Sequence, residues 1–140
     1  MMPAANAPTL LDLAREVDAE HWNVMSRATR PVLPRCVEYH TVEPGGSLPY
    51  PTHYDAGSLV TIDIMLSDSS DFRGGDFRTL EPDGSMRSYA FEKGDALCFV
   101  SHKFHCVSPL TAGRRDVLVV EKRGGVDTCT SHSHSHSHSH

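Results

Sequence analysis

From residue 35 to residue 122 the chain is a succession of short apolar stretches cut at close intervals by turn residues. That punctuation directs it towards a β-sandwich or barrel, with minor helix at most. The clearest stretch is 59–66, where Val60, Ile62, Ile64 and Leu66 alternate with Thr61, Asp63 and Met65. A period of two places alternate side chains on opposite faces of a strand. Further strands are expected over 36–42, 76–80, 86–91, 96–100, 104–107 and 115–121. Pro44-Gly45-Gly46, Pro82-Asp83-Gly84 and Lys93-Gly94-Asp95 supply the turns between them.

Ahead of this region, residues 9–21 have the period of a short amphipathic helix. Thr9 and Asp12 are spaced as a capping box, and Leu10, Leu13, Ala14 and Val17 share one face. Pro31 and Pro34 end the helical region. Residues 131–140 alternate Ser and His strictly and hold five of the ten histidines. Such a tract builds no core and binds metal only non-specifically. The organisation expected is therefore a helical lead-in (1–34), one β domain (35–122) and a disordered Ser-His tail (123–140), natural or a tag.

The formal net charge of −5 argues against nucleic acid or an anionic membrane as a partner. No apolar run has the length of a membrane span, and the first eight residues lack the pattern of a signal peptide. Cys36, Cys98, Cys106 and Cys129 form neither a CxxC pair nor a zinc-finger spacing, so they read as buried or free thiols. The expectation leans to the cytoplasm; oligomeric state is left open.

Two features carry chemistry. His53-Tyr54-Asp55, placed on one strand, directs an imidazole and a carboxylate to the same side with Tyr54 turned away. His105, far along the chain, is a third donor. Two histidines and one carboxylate on one face of an octahedral ion leave positions open for ligands and suit iron(II). Each motif taken singly is commonly structural: a hydrogen-bonded surface pair for the first, a core histidine for the second. Arg115, ten residues beyond His105, offers a guanidinium that forks onto a carboxylate, or else an ordinary surface charge.

The order of these motifs from Glu38 to Val120 resembles the prolyl-hydroxylase-like class of iron(II)/2-oxoglutarate oxygenases. Its pattern is H-x-D, a Gly-Gly before a strand, a Gly-Asp turn into a phenylalanine strand, and H-x-V-x-P-[VL]-x-x-G-x-R. The chain supplies His53-Tyr54-Asp55, Gly74-Gly75, Gly94-Asp95 before Phe99, and His105, Val107, Pro109, Leu110, Gly113 and Arg115. The resemblance implies a double-stranded β-helix, or jelly roll. It implies iron(II) on His53, Asp55 and His105, and 2-oxoglutarate with its far carboxylate on Arg115. Arg114 takes that role if the register slips by one. Tyr39, and beside it Tyr50, are the tyrosines expected to share that carboxylate.

The resemblance further implies dioxygen and ascorbate as reactants, succinate and carbon dioxide as products, and hydroxylation of a peptidyl proline or lysine or of a small molecule. Asp55 favours hydroxylation over halogenation, since related halogenases carry a small residue there. Three other classes stay open: a cupin-like metal or sugar module, a zinc hydrolase, and an interaction domain that has lost turnover. The chain departs from the class in lacking an aromatic at the end of its last strand and in its short N-terminal region.

Overall fold

The computed structural model describes residues 9–28 and 31–124, with the side chains of 49–51 and 124 left out. The Ser-His tail, Cys129 and the first eight residues lie outside the described residues. The helix α1 spans Leu10–His21 and opens on the expected box: Thr9 accepts from the Asp12 N–H, and the Asp12 carboxylate accepts from the Thr9 N–H. Its closing turn is fastened by Asp18, 1% exposed, whose carboxylate accepts from the N–H groups of Val24 (2.8 Å) and Met25 (2.9 Å).

Ten strands follow: β1 (Val32–Val42), β2 (Leu48–His53), β3 (Val60–Met65), β4 (Phe72–Gly74), β5 (Phe77–Leu80), β6 (Met86–Ser88), β7 (Ala96–Val100), β8 (His105–Val107), β9 (Leu110–Gly113) and β10 (Arg115–Gly124). They form one sheet in the order β1-β10-β3-β7, a second in the order β2-β8-β5-β6, and the two-stranded pair β4-β9. Among the described residues all pairings are antiparallel. This is the jelly roll, a mostly β fold with one short helix.

The alternation in β3 has a different meaning from that of a half-solvated strand. Val60 to Asp63 are all buried, as is Met65, while Leu66 lies beyond the strand and is exposed. β3 is interior to its sheet, and both of its faces are covered. On the outer face Val60, Ile62 and Val120 form a core with Ala14, Met25 and Val32, flanked by Leu10, Leu11 and Trp22. The helix therefore meets this core through the buried Ala14 and the half-buried Leu10 and Leu11, while Leu13 and Val17, also half-buried, lie outside it. On the inner face Thr61 pairs with Glu121 and Phe99, Asp63 with Val119 and Leu97, and Met65 with Val117. The polar half of the pattern thus points into the barrel.

Short strands were the hardest to read from sequence. β2 carries two prolines and a histidine in six residues, and β4 and β9 are only three and four residues long and each end on a glycine, so neither period nor propensity marks them. β1 starts four residues earlier than expected, passing Pro34 through a bulge between Pro34 and Cys36. Gly113, at φ +79°, brings β9 so close to β4 that an added Cβ would run into the Asp71 carbonyl oxygen.

Candidate metal centre

His53 and His105 face each other as direct partners in the β2–β8 ladder, and His105 also pairs with Thr79 of β5. This register is what joins two residues distant in sequence. Their rings stand edge to face with centroids 4.9 Å apart. Asp55 arrives by another route than strand alternation. β2 ends at His53, and the chain turns so that the Asp55 N–H donates to the Ser101 carbonyl at 2.8 Å. Tyr54 does face away, half exposed and packed on Phe104.

One donor atom from each of His53, Asp55 and His105 lies within 4.8 Å of the others. Asp55 Oδ1 is 3.2 Å from His53 Nε2 and 3.7 Å from His105 Nε2. The other oxygen, Oδ2, accepts from the Thr61 hydroxyl at 2.7 Å, and Thr61 in turn contacts the buried Ser101 hydroxyl at 2.9 Å. His105 Nδ1 lies 2.9 Å from the Lys103 carbonyl oxygen. A carbonyl only accepts, so Nδ1 carries the proton and Nε2 keeps its lone pair for the cluster.

Burial lowers the pKa of His105 by disfavouring its cation; the Lys103 carbonyl and the Asp55 charge oppose this without reversing it. For Asp55, burial alone would raise the carboxyl. The His53 hydrogen bond, the nearby His105 and the Thr61 hydroxyl outweigh it, and the net direction is down. A neutral imidazole and an ionised carboxylate are the forms that bind a metal. The donor set fits an ion with open positions. Phe77 stacks on His105 at 5.5 Å and Phe99 meets it edge-on at 4.9 Å, walling the inner side. His53, by contrast, is partly exposed at the mouth.

Arg115 opens β10 on the inner face, in the row next to Val117. It is 4% exposed, and its Nε has no hydrogen-bond partner. Burial lowers its pKa, against the charges of Asp63 and Asp76. Gly75, at φ +67°, makes room for it: a Cβ there would sit 2.9 Å from Arg115 Cδ. Phe91 lies under the guanidinium at 5.9 Å. Arg114 points outward, exposed, and donates to Asp116 at 3.0 Å. A buried guanidinium with donor capacity left over fits an incoming carboxylate.

The expected place of Tyr39 is corrected as well. Tyr39 pairs with Leu118 on the outer face of β1, opposite to Arg115, and is 58% exposed beside Arg114 and Asp116. One residue of strand phase turns it away from the interior. The Tyr50 side chain lies outside the described residues. Thr61 and Ser101 were not singled out as site residues, and Asp63 was weighed only as a substitute ligand for Asp55. The polar set Thr61 and Asp63 in a strand so apolar was the available signal. Cys36, Cys98 and Cys106 are free, and burial pushes Cys36 and Cys98 up to about 11, which leaves them poor nucleophiles.

No family model matches the chain. Over 76 residues it is 33% identical to a PKHD-type hydroxylase of Idiomarina loihiensis, a match covering 50% of this chain and 34% of that protein. Its fold matches a 2OG-Fe(II) oxygenase-family oxidoreductase from Burkholderia pseudomallei with a TM-score of 0.62 at 17% identity, over 79% of this chain and 50% of that one. A Pseudomonas putida prolyl-4-hydroxylase matches at 0.62 and 18%, over 83% and 63%. The viral collagen prolyl hydroxylase of Paramecium Bursaria Chlorella virus-1 matches at 0.57 and 16%, over 90% and 78%. At such identities the structural likeness is one of fold. The chain spans about a third of the length of the curated relative and half to 63% of the first two structures.

Proposed function

Because the chain resembles the prolyl-hydroxylase-like class of iron(II)/2-oxoglutarate oxygenases in fold and in part of its sequence, we propose that it is an oxygenase domain of that kind, hydroxylating a substrate C–H bond. The observation that carries this is the convergence of His53, Asp55 and His105 on one point while Arg115 is buried on the inner face of the same barrel. A metal-binding site alone would leave the inward arginine without a purpose. In this reading His53, Asp55 and His105 hold iron(II), and Arg115 binds the distal carboxylate of 2-oxoglutarate. Bound together with dioxygen, that pair supplies the oxidising power for hydroxylation and leaves succinate and carbon dioxide.

The chain's own residues position and shield. Thr61 holds one oxygen of Asp55 and so directs the other at the metal. The Lys103 carbonyl fixes the His105 tautomer. Phe77 and Phe99 keep water from the inner side of His105. Substrate then approaches past the more exposed His53, with a peptidyl proline or lysine and a small molecule both compatible with an open mouth.

One observation favours a second reading, a jelly-roll metal module without cosubstrate: the carboxyl of Asp63, buried in the same interior as Arg115. Anaerobic titration separates the two. Iron(II) followed by 2-oxoglutarate produces a weak visible charge-transfer band in an oxygenase, and succinate accumulates once air is admitted. A chain that binds iron(II) but gives neither band nor succinate is the metal module.

A further inference from the structure

Asp63 is a buried polar group of the barrel interior that the oxygenase reading leaves unused. It lies on the inner face of β3, one inward step from Thr61 and one from Met65. Thr61 marks the metal end, since its hydroxyl holds Asp55. Met65 pairs with Val117, and Arg115 is the next inward residue beyond Val117 on β10. Each inward step is about 6.6–6.8 Å along a strand. Along the barrel the rows therefore run Thr61, Asp63, Met65, then Arg115, whose long side chain reaches back far enough for its charge to act on Asp63. In the oxygenase reading a five-carbon diacid lies between the cluster and Arg115, in the interior towards which Asp63 is turned.

The local chemistry makes this position consequential. Asp63 is only 9% exposed and its Oδ1 has no hydrogen-bond partner; Arg115 is 4% exposed and its Nε has none. An ionised Asp63 would neutralise Arg115 internally and repel a second carboxylate. A protonated Asp63 would leave the guanidinium available and offer a hydroxyl donor.

We propose that Asp63 is a specificity-determining residue of the cosubstrate pocket, admitting a 2-oxo dicarboxylate only as its own carboxyl takes up one proton from solvent. This rests on the oxygenase reading above and deepens it. The groups facing Asp63 act in both directions. Burial pushes its carboxyl up to about 7, reinforced by Asp55 from the turn after β2, opposed by Arg115 and reinforced again by Glu121, both from β10. His105 of β8 is 3.7 Å from Asp55 through its Nε2. From β7 the inner neighbours are the uncharged Leu97 and Phe99.

The test is calorimetry of 2-oxoglutarate binding to the iron(II)-loaded full chain under argon, in two buffers of different ionisation enthalpy. Wild type should take up close to one proton per ligand above neutrality. Its apparent Kd should be about tenfold weaker at pH 8 than at pH 6, because only the protonated fraction is competent. Asp63→Asn should bind with little pH dependence and more tightly than wild type at the higher pH. A carbon NMR titration of the wild-type aspartates reads the same event without a substitution: one carboxyl should titrate near neutrality and stay protonated when 2-oxoglutarate is bound. Binding by wild type that is flat with pH and free of proton uptake overturns the proposal while the oxygenase reading stands. So does an Asp63 carboxyl that titrates in the ordinary carboxylate range. Absence of 2-oxoglutarate binding by wild type and Asp63→Asn at every pH overturns both.

Discussion

The two main sheets of this barrel are built to different standards. β1-β10-β3-β7 contains strands of eleven, ten, six and five residues, and the β10–β3 register runs from Val117 to Lys122 without a break. Its middle is buried on both faces, by α1 outside and by the barrel interior inside. β2-β8-β5-β6 has strands of six, three, four and three residues, with a register shift between Leu48 and His53. Yet both histidines of the candidate metal cluster come from this shorter sheet, and Asp55 comes from the turn that ends β2. The regular sheet supplies rigidity and the supporting groups, Thr61 and Arg115. The irregular sheet supplies donors at places where the ladder stops, free to aim at an ion rather than at a neighbouring strand.

If that division is real, substitutions in the two sheets should fail in different ways. The largest functional effect is expected from His105→Ala, which removes a donor from the short sheet. Iron-dependent turnover of 2-oxoglutarate should be lost while circular dichroism and the melting midpoint stay close to wild type. Because the tail carries five histidines, metal content should be read with the tail removed. Wild-type decarboxylation by this variant would remove His105 from the cluster.

Ile62→Ala attacks the long sheet instead. Ile62 is fully buried beneath the helix. Such a truncation costs about 2–5 kcal/mol. Urea denaturation should show that loss, whereas iron affinity measured well below the midpoint should be unchanged. A matching loss of iron affinity in the folded protein would mean that the helix-side core and the site are coupled.

Arg115→Ala should weaken 2-oxoglutarate binding by at least tenfold, about 1.4 kcal/mol, and leave iron affinity alone. Arg114→Ala, on the outer face, should do neither. Equal sensitivity of the two arginines in an anaerobic titration would contradict the inward and outward facing of β10. The smallest effect belongs to the helix end: Thr9→Ala removes the cap and should cost about 1 kcal/mol, seen as a lower midpoint with an unaltered site.

Much of this was legible from single residues. The box of Thr9 and Asp12, the strands 96–100 and 36–42, and the turns at Gly84 and Gly94 follow from local rules, and the structure has them. The cluster of His53, Asp55 and His105 was legible through the resemblance, as was the inward arginine at position 115. The step from motif to geometry was less direct. Strand alternation was expected to align His53 with Asp55, whereas the strand ends at His53 and the Ser101 carbonyl places Asp55. Tyr39 shows the limit of phase: without knowing which face of β1 is inner, an aromatic there is equally well placed inside or outside.

What the sequence determined by itself is the class of fold, because strand period and turn chemistry are properties of a few neighbouring residues; the candidate donors came from the order of motifs along the chain. What only the tertiary structure decided is which face of each strand is inner, and with it the roles of Thr61, Asp63 and Tyr39. Facing is not a local property. In an antiparallel ladder it is set by register with β10 and β7, and by the helix that covers one side of the sheet. The same carboxyl at position 63 would be an ordinary solvated aspartate on an open sheet. Covered on both faces, it keeps an unpartnered Oδ1 and a carboxyl that burial pushes up to about 7.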